Sequence, residues 1–122
     1  MIGIDLVFIS RFSDKVGNKA FYNKILNEIE IDYLKTKKTA IVEMKSLAGF
    51  FAAKEAILKA FGVGITNGYG FKDITIGHDK FGAPIVILSD KLNDLMQNNK
   101  KTKINISISH DGDYATAIAA IE

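Results

Sequence analysis

The chain has 122 residues and a formal net charge of +2, from 16 basic and 14 acidic side chains. This length predicts a single domain spanning residues 1–122, and a hydrophobic fraction of 48% is ordinary for a globular protein. The absence of cysteine excludes a disulfide framework and a thiolate metal site, and favours a reducing compartment such as the cytoplasm.

Composition also argues against two classes of partner. Arg11 is the single arginine, and no stretch interleaves basic with aromatic residues as a nucleic-acid surface would. No apolar stretch is long enough to span a bilayer. The first residues lack a basic segment and place Asp5 inside the apolar run, so we predict that they are not a signal peptide. We expect no nucleic-acid partner and no membrane partner.

Apolar periodicity and turn residues predict strands and helices along the chain. The first strand, residues 2–8, is β-branched and apolar and is expected to be well buried. Asn27 with Glu30 resembles a capping box that divides residues 19–38 into two short helices. In chain order the predicted elements are a strand at 2–8, a short helix at 10–16, two helices within 19–38, a long helix at 41–61, strands at 71–76 and 84–88, a helix at 90–98, and strands at 104–110 and 114–121.

The last two strands form the clearest hairpin. Isoleucine alternates with polar residues from 104 to 109, and Asp111-Gly112 is a favoured two-residue turn. The return strand, 114–121, is apolar at nearly every position, so both of its faces need cover, which neighbouring copies of the chain could supply. Because the helices cluster early and the strands late, the sequence predicts an α+β fold with a mostly antiparallel sheet packed on helices.

The long helix carries the most informative charges. Glu55 and Lys59 are four residues apart and share one helix face, where Ala48, Phe51 and Ala52 also lie. Charges in such an apolar setting are costly unless they are paired or used. An ordinary salt bridge between the two remains the alternative to a catalytic role.

Asp5 interrupts an apolar strand and also needs a partner, unless it caps a nearby amide at the strand end. Asp5 and Glu55 together offer hard oxygen ligands on separate elements, which suits Mg²⁺. Zinc is disfavoured because there are only two histidines and no cysteine. We therefore expect Mg²⁺ as the cofactor.

His110 ends a strand in phase with Ile104, Ile106 and Ile108, so it should share their face; the alternative is a turn-flanking histidine bonded to backbone. His78 lies in a loop and is assigned no role. Arg11 and Lys15 are four residues apart, and form either a solvated face or a basic patch for an acidic partner.

The loop glycines at 62, 64, 68 and 70 follow a helix, whereas a dinucleotide fingerprint follows a strand and opens a helix, so they are not one. Gly62 and Gly64 are either a helix cap and turn or a backbone that approaches a ligand closely.

Taken in order, these motifs resemble the holo-acyl-carrier-protein synthase family, the small 4′-phosphopantetheinyl transferases. The resemblance covers nearly the whole chain, from residue 3 to residue 115. The matching segments are Gly3-Ile4-Asp5 with Arg11, Phe51-Ala52-Ala53-Lys54-Glu55-Ala56 with Lys59-Ala60-Phe61-Gly62, Gly64-Ile65, and Ser107-Ile108-Ser109-His110 with Tyr114-Ala115.

The resemblance implies transfer of 4′-phosphopantetheine from coenzyme A to a serine of apo-acyl carrier protein, a step of fatty acid biosynthesis. It implies a homotrimer with the site between subunits. The implied roles are Mg²⁺ binding by Asp5 and Glu55, catalysis by Glu55, Lys59 and His110, coenzyme A binding by Lys54, Lys59, Gly62, Gly64 and His110, and carrier-protein binding by Arg11 and Lys15.

One position departs from the family pattern. Phe50 stands where relatives carry an arginine that helps to hold a coenzyme A phosphate, so Lys45 or Lys54 is the expected substitute. Glu55 or a metal-bound water is the candidate base for the serine hydroxyl, and the sequence leaves both open. A magnesium-dependent phosphotransfer enzyme with another acceptor and a non-catalytic carrier-binding module are the competing hypotheses.

Overall fold

The computed structural model describes every residue from Met1 to Glu122. The predicted α+β class is confirmed, because helices pack against antiparallel strands. The elements are β1 (Ile2–Phe8), a 3₁₀ turn (Ile9–Phe12), α1 (Lys19–Ile25), α2 (Glu28–Lys35), α3 (Ala40–Phe61), 3₁₀ turns at Ile65–Asn67 and Phe71–Asp73, β2 (Ile74–His78), β3 (Pro84–Leu88), α4 (Asp90–Asn98), β4 (Ile104–Asp111) and β5 (Tyr114–Ile121).

The strands form two separate antiparallel sheets. In the larger sheet the order is β1-β5-β4, so the terminal strand β5 is the central one. The hairpin predicted for β4 and β5 is confirmed, with Asp111 opposite Tyr114. Strands β2 and β3 pair with each other. Helix α3 packs across one face of the larger sheet and forms the centre of the core.

The close approach of β1 to α3 depends on Gly3. A Cβ atom at this position would lie 1.9 Å from the carbonyl oxygen of Ala56 and 2.6 Å from the amide nitrogen of Ala60, so no side chain is accommodated. Because side chains alternate along a strand, Asp5 points to the same face of the sheet as Gly3. This contact therefore brings Asp5 to the turns of α3 that carry Glu55 and Lys59.

Only one face of β1 is buried, so the expectation of a well-buried strand is wrong for the other face. The side chains that point away from α3 are apolar and exposed, and they continue onto β5. A strand that another copy covers has the same apolar pattern as one that a helix covers, which is why the sequence could not separate the two. We call this surface the open sheet face; it consists of Ile2, Ile4, Leu6, Phe8, Tyr114 and Ile118.

Two predicted elements are shorter than expected. The helix expected at 10–16 is a single 3₁₀ turn, Ile9–Phe12, followed by further turns. The strand expected to begin at residue 71 begins at Ile74, because Phe71–Asp73 forms a 3₁₀ turn. Its capping bond runs from the amide of Gly70 to the carboxylate of Asp73, 2.9 Å away. Turn-forming bonds of this kind compete with strand geometry.

The predicted division between α1 and α2 is confirmed. The amide nitrogen of Asn27 donates to Oε1 of Glu30 at 2.7 Å, as a capping box requires. The side-chain amide of Asn27 also donates to the carbonyl of Ile74, 3.1 Å away, and so joins this corner to β2. The cap thus serves tertiary packing as well as the helix end.

Tyr22 links α1 to α3 and gives the protein a predictable response to alkali. Its hydroxyl donates to the carboxylate of Glu43 and accepts from the amide of Gly17 at 3.0 Å. Burial, followed by the bond to Glu43, raises the pKa of Tyr22 from 10.0 to about 12. Because the folded protein holds this proton more tightly than the unfolded chain, the resulting stability is complete below pH 10 and is lost as the pH rises from 10 to 12.

We therefore expect the Tm to fall between pH 10 and pH 12, and to fall less in Tyr22→Phe, which cannot ionise. Thermal melts followed by circular dichroism measure both curves. Parallel curves for the two proteins across this window would contradict the assignment.

Candidate active site

Asp5 and Lys59 form the centre of the candidate site. Nζ of Lys59 lies 2.9 Å from Oδ1 of Asp5 and 3.2 Å from the carbonyl oxygen of Ile4. The Asp5 side chain is only 12% exposed, and its Oδ2 atom is buried without a hydrogen-bond partner. A buried carboxylate oxygen without a partner is unusual in a native fold. It therefore marks a position that a cation or a hydrogen-bond donor would stabilise.

Glu55 lies half-buried next to this pair. Burial is the main cause that raises its pKa, and the negative charge of Asp5 raises it further, while Lys59 and Arg11 act in the opposite direction. The pKa of Lys59 is raised, chiefly by its hydrogen bond to Asp5. A carboxylate whose pKa is raised by a second, neighbouring carboxylate is an arrangement that a bound divalent cation stabilises.

The donor set fits Mg²⁺. The chain contains no group of three or more His, Cys, Asp or Glu side chains that could enclose a metal ion. Mg²⁺ is commonly held by one or two carboxylates, with water and substrate phosphates completing its shell. The free Oδ2 of Asp5 and the nearby carboxylate of Glu55 meet that requirement, whereas zinc would need more protein ligands.

A cavity of about 220 Å³ opens beside Glu55 and Lys59, and we call it the carboxylate cavity. The loop after α3 forms its wall through Gly64 and Phe71, among other residues. Gly64 therefore lines the cavity beside Glu55 and Lys59, and its predicted contact with coenzyme A stays a prediction. Gly62 does not line the cavity; with a φ of 71° it caps the end of α3, so the helix-cap alternative describes it and the prediction of a ligand contact is not supported.

His110 lines a different cavity of about 250 Å³, which we call the histidine cavity. As predicted, His110 points to the face that the strand's isoleucines occupy, because both His110 and Ile108 lie against Gly49 of α3. Its Nε2 atom is 2.8 Å from the carbonyl oxygen of Lys45. A carbonyl only accepts, so Nε2 carries the proton and Nδ1 is left to meet a ligand.

The sequence predicted one catalytic set of Glu55, Lys59 and His110, and a single chain does not assemble it. His110 and the Glu55–Lys59 pair line separate cavities with no lining residue in common. Within one copy, the histidine cavity therefore lacks the carboxylates and the carboxylate cavity lacks the histidine.

The predicted coenzyme A contact of Lys54 is wrong. This side chain is fully buried, and Nζ donates to Oε1 of Glu30 at 2.7 Å and to the carbonyl oxygens of Ile25 at 2.8 Å and Phe71 at 3.1 Å. Burial lowers the pKa of Lys54, and Glu30 offsets this effect. With all of its donors used inside the protein, Lys54 has none for a phosphate.

Phe50, which stands in place of the expected arginine, carries no charge. Its side chain is 2% exposed and packs edge-on against Tyr33, with ring centroids 5.6 Å apart. No lysine or arginine lines the histidine cavity. Lys45 is exposed and touches this region through its backbone carbonyl, so it remains the one expected substitute that a ligand can reach.

Of the basic pair predicted for an acidic partner, Arg11 lies close to Glu55. The guanidinium of Arg11 sits 4.9 Å from the ring centroid of Phe51, one helical turn before Glu55. Lys15 lies over Phe21 at 5.5 Å and 3.7 Å from the carboxylate of Asp14. Arg11 is therefore near the site and close enough to lower the pKa of Glu55, whereas the contacts of Lys15 are with Phe21 and Asp14.

His78, expected in a loop and assigned no role, is the last residue of strand β2. It lines the histidine cavity with His110 and stacks on Tyr33, with ring centroids 4.0 Å apart and an interplanar angle of 13°. Burial and the charge of Lys37 lower its pKa. The pairing of β2 with β3 places His78 opposite Pro84, and no pattern in the sequence signals that this hairpin folds over α3.

None of the helices combines the length and the apolar character needed to cross a membrane.

The family model described as "4′-phosphopantetheinyl transferase superfamily" matches residues 1–119. A holo-[acyl-carrier-protein] synthase of Sulfurimonas denitrificans is 45% identical over 125 residues, covering 100% of this chain and 94% of the relative. A protein of the same name from Clostridium botulinum is 43% identical over 122 residues, covering 99% of this chain and 95% of that relative.

Solved structures of proteins with the same name are also similar to this chain. The Helicobacter pylori holo-[acyl-carrier-protein] synthase in complex with coenzyme A is 36% identical, with a TM-score of 0.83 and complete coverage of both chains. The Bacillus anthracis holo-(acyl-carrier-protein) synthase, in complex with CoA (3′,5′-ADP), is 33% identical, with a TM-score of 0.80 and coverage of 98% of this chain and 93% of that one.

Proposed function

Because this chain belongs to the 4′-phosphopantetheinyl transferase superfamily, we infer that it has holo-[acyl-carrier-protein] synthase activity. The enzyme transfers the 4′-phosphopantetheine group of coenzyme A to a serine of an apo-acyl carrier protein, and adenosine 3′,5′-bisphosphate leaves. Among the residues, the cluster of Asp5, Glu55 and Lys59 beside a cavity is the observation that supports this chemistry most strongly.

In the reaction the serine Oγ forms a bond to the phosphorus that carries pantetheine. The bond from that phosphorus to the bisphosphate leaving group breaks, and the serine proton passes to a base. Such a transfer depends on positioning and on neutralising charge. We assign charge stabilisation to the exposed ammonium of Lys59. The carboxylate of Glu55 is the chain's own candidate base, because it lines the cavity beside Lys59.

We assign Mg²⁺ to Asp5 and Glu55. The unpartnered Oδ2 of Asp5 and the effect of its charge, which raises the pKa of Glu55, support this assignment. When bound, Mg²⁺ would neutralise charge on the pyrophosphate of coenzyme A. Coenzyme A would reach Lys59 and Gly64 in the carboxylate cavity and His110 in the histidine cavity.

We further propose that the enzyme is a homotrimer whose sites lie between subunits. The open sheet face supports this, since large apolar side chains on neighbouring strands mark interaction sites. The separation of His110 from Glu55 within one chain supports it as well, because a site between copies can join a carboxylate cavity to a histidine cavity. A cytoplasmic location and a role in fatty acid biosynthesis are proposals that follow from the reaction.

Arg11 gives this proposal a test on the carrier-protein side. We expect Arg11→Glu to raise the KM for the carrier protein about tenfold or more at low salt, because charges at an interface rim act on encounter with an oppositely charged partner. The KM for coenzyme A should change much less, and added salt should shrink the effect. Steady-state kinetics with each substrate varied in turn measure both constants.

Lys103→Glu is the matched control, since it makes the same charge change in the connector before β4. An unchanged KM for the carrier protein in Arg11→Glu at low ionic strength would remove Arg11 from the docking surface.

Mass spectrometry tests the function itself. An apo-carrier protein incubated with this enzyme, coenzyme A and magnesium should gain the mass of one phosphopantetheinyl group. Bisphosphate release into water without a mass gain would favour a phosphotransfer enzyme with another acceptor. Binding of the carrier protein without either product would favour a non-catalytic module.

A further inference from the structure

The ion pair between Lys54 and Glu30 connects several elements of the fold. It is completely buried, and each polar atom is satisfied: besides Lys54 and the amide of Asn27 on Oε1, Glu30 accepts from the amide of Ile76 on Oε2 at 2.8 Å. The pair thereby joins α3 to the end of α1, the start of α2 and strand β2. Buried pairs of this kind are fixed in geometry because breaking them leaves an uncompensated charge.

One of the three bonds made by Lys54 leads to the active-site wall. Its acceptor is the carbonyl oxygen of Phe71, and the Phe71 side chain lines the carboxylate cavity together with Glu55 and Lys59. The Phe71 ring also packs on Phe51, 5.2 Å between centroids, one turn before Glu55. Lys54, the residue adjacent to Glu55, therefore holds the segment whose Phe71 side chain lines the cavity together with Glu55.

This bond is the only hydrogen bond between residues 64–72 and α3. The other bonds of the segment close turns within it, run from Lys91 to the carbonyl of Gly68, or join Lys72 to the α1 region. Without Lys54 no hydrogen bond would join this segment to α3, and the packing of Phe71 on Phe51 would remain as their contact.

We propose that Lys54 is a positioning residue, which fixes the loop of residues 64–72 over the carboxylate cavity and thereby sets the binding of coenzyme A there. This inference rests on the function and the coenzyme A site given above. Lys54 does not touch the substrate, and the groups that carry the chemistry stay on α3 and β1. Its loss should weaken substrate binding more than it slows the chemical step.

Lys54→Met keeps the length of the side chain and removes its donors. In the folded variant we expect the KM for coenzyme A to rise about tenfold or more, because small displacements around a site have large effects, while kcat stays within about threefold of wild type. Amide hydrogen exchange in residues 64–72, followed by mass spectrometry, should become faster.

Met96→Ala is the matched control, because it opens the core at α4 and should lower the Tm, and Met96 makes no hydrogen bond with residues 64–72. It should leave the KM and the exchange of residues 64–72 as they are in wild type. Lys54→Met combined with Glu30→Gln removes both charges, and serves if the unpaired Glu30 of the single variant prevents folding; the same rise in KM is expected.

An unchanged KM in a folded Lys54 variant, measured against Met96→Ala, would overturn the proposal. Failure of both Lys54 variants to fold would also overturn it, since the pair would then be needed for folding and not for positioning. Wild-type enzyme assayed in parallel separates the test of the Lys54 role from the test of the function. Absence of transfer by the wild-type enzyme would refute the function, whatever the variants do.

Discussion

Asp5→Ala and Glu55→Ala should each reduce phosphopantetheinyl transfer at least about 100-fold, the scale expected for losing a metal ligand, while the protein remains folded. Asp5 leaves one carboxylate oxygen without a partner and shares the other with an exposed lysine, so its removal costs the fold little. Glu55 accepts no hydrogen bond from the protein that its loss would leave unmatched. Initial rates at saturating magnesium and thermal melts measure the two effects.

Asp5→Asn and Glu55→Gln separate charge from shape. Both keep the volume of the side chain, and both should be nearly as inactive as the alanine variants, because an amide is a poor substitute for a charged magnesium ligand. Asp94→Asn, which makes the same change on the exposed side of α4, should be fully active. Activity within a few-fold of wild type in either Asp5 or either Glu55 variant would refute the magnesium assignment.

Ile118→Lys should break the assembly and abolish activity together. Ile118 is 45% exposed at the centre of the open sheet face, and a lysine there would place a charge inside an apolar interface. Ile29→Lys is the control, since Ile29 is equally apolar and 54% exposed but lies on α2. An Ile118→Lys protein that keeps both its molar mass and its rate would show that this face is not the interface.

Complementation between two inactive variants also tests whether the site is shared between subunits. An inactive Asp5→Ala protein mixed with an inactive His110→Ala protein should recover up to about a quarter of wild-type activity after subunit exchange, because one in four random pairings joins an intact Asp5 to an intact His110. Recovery requires that the two residues come from different chains. Absence of recovery is therefore weaker as a result than its presence.

The part of the site that depends on local pattern could be predicted from the sequence. The four-residue spacing of Glu55 and Lys59 placed both on one helix face, and the acid in an apolar strand identified Asp5. The contact between them needs Gly3, whose missing side chain lets β1 approach α3. Alternation along β4 likewise gave the correct direction for His110.

The remainder depends on contacts between distant segments. Lys54 and Glu30 are 24 residues apart, and nothing near either one shows that they meet in the core, so Lys54 was assigned to the ligand. His78 reaches its cavity through hairpin pairing and stacking on Tyr33. The exposed side of β1 has the same residue pattern as a buried one, and only the packing of α3 shows which face is left open.

Molar mass and activity measured on one sample test most directly the claim that the site is completed between copies of the chain. Light scattering at the working concentration of the assay should give three times the mass of the 13.4 kDa chain, and dilution into monomers should remove activity in the same concentration range. A fully active monomer would contradict the shared site.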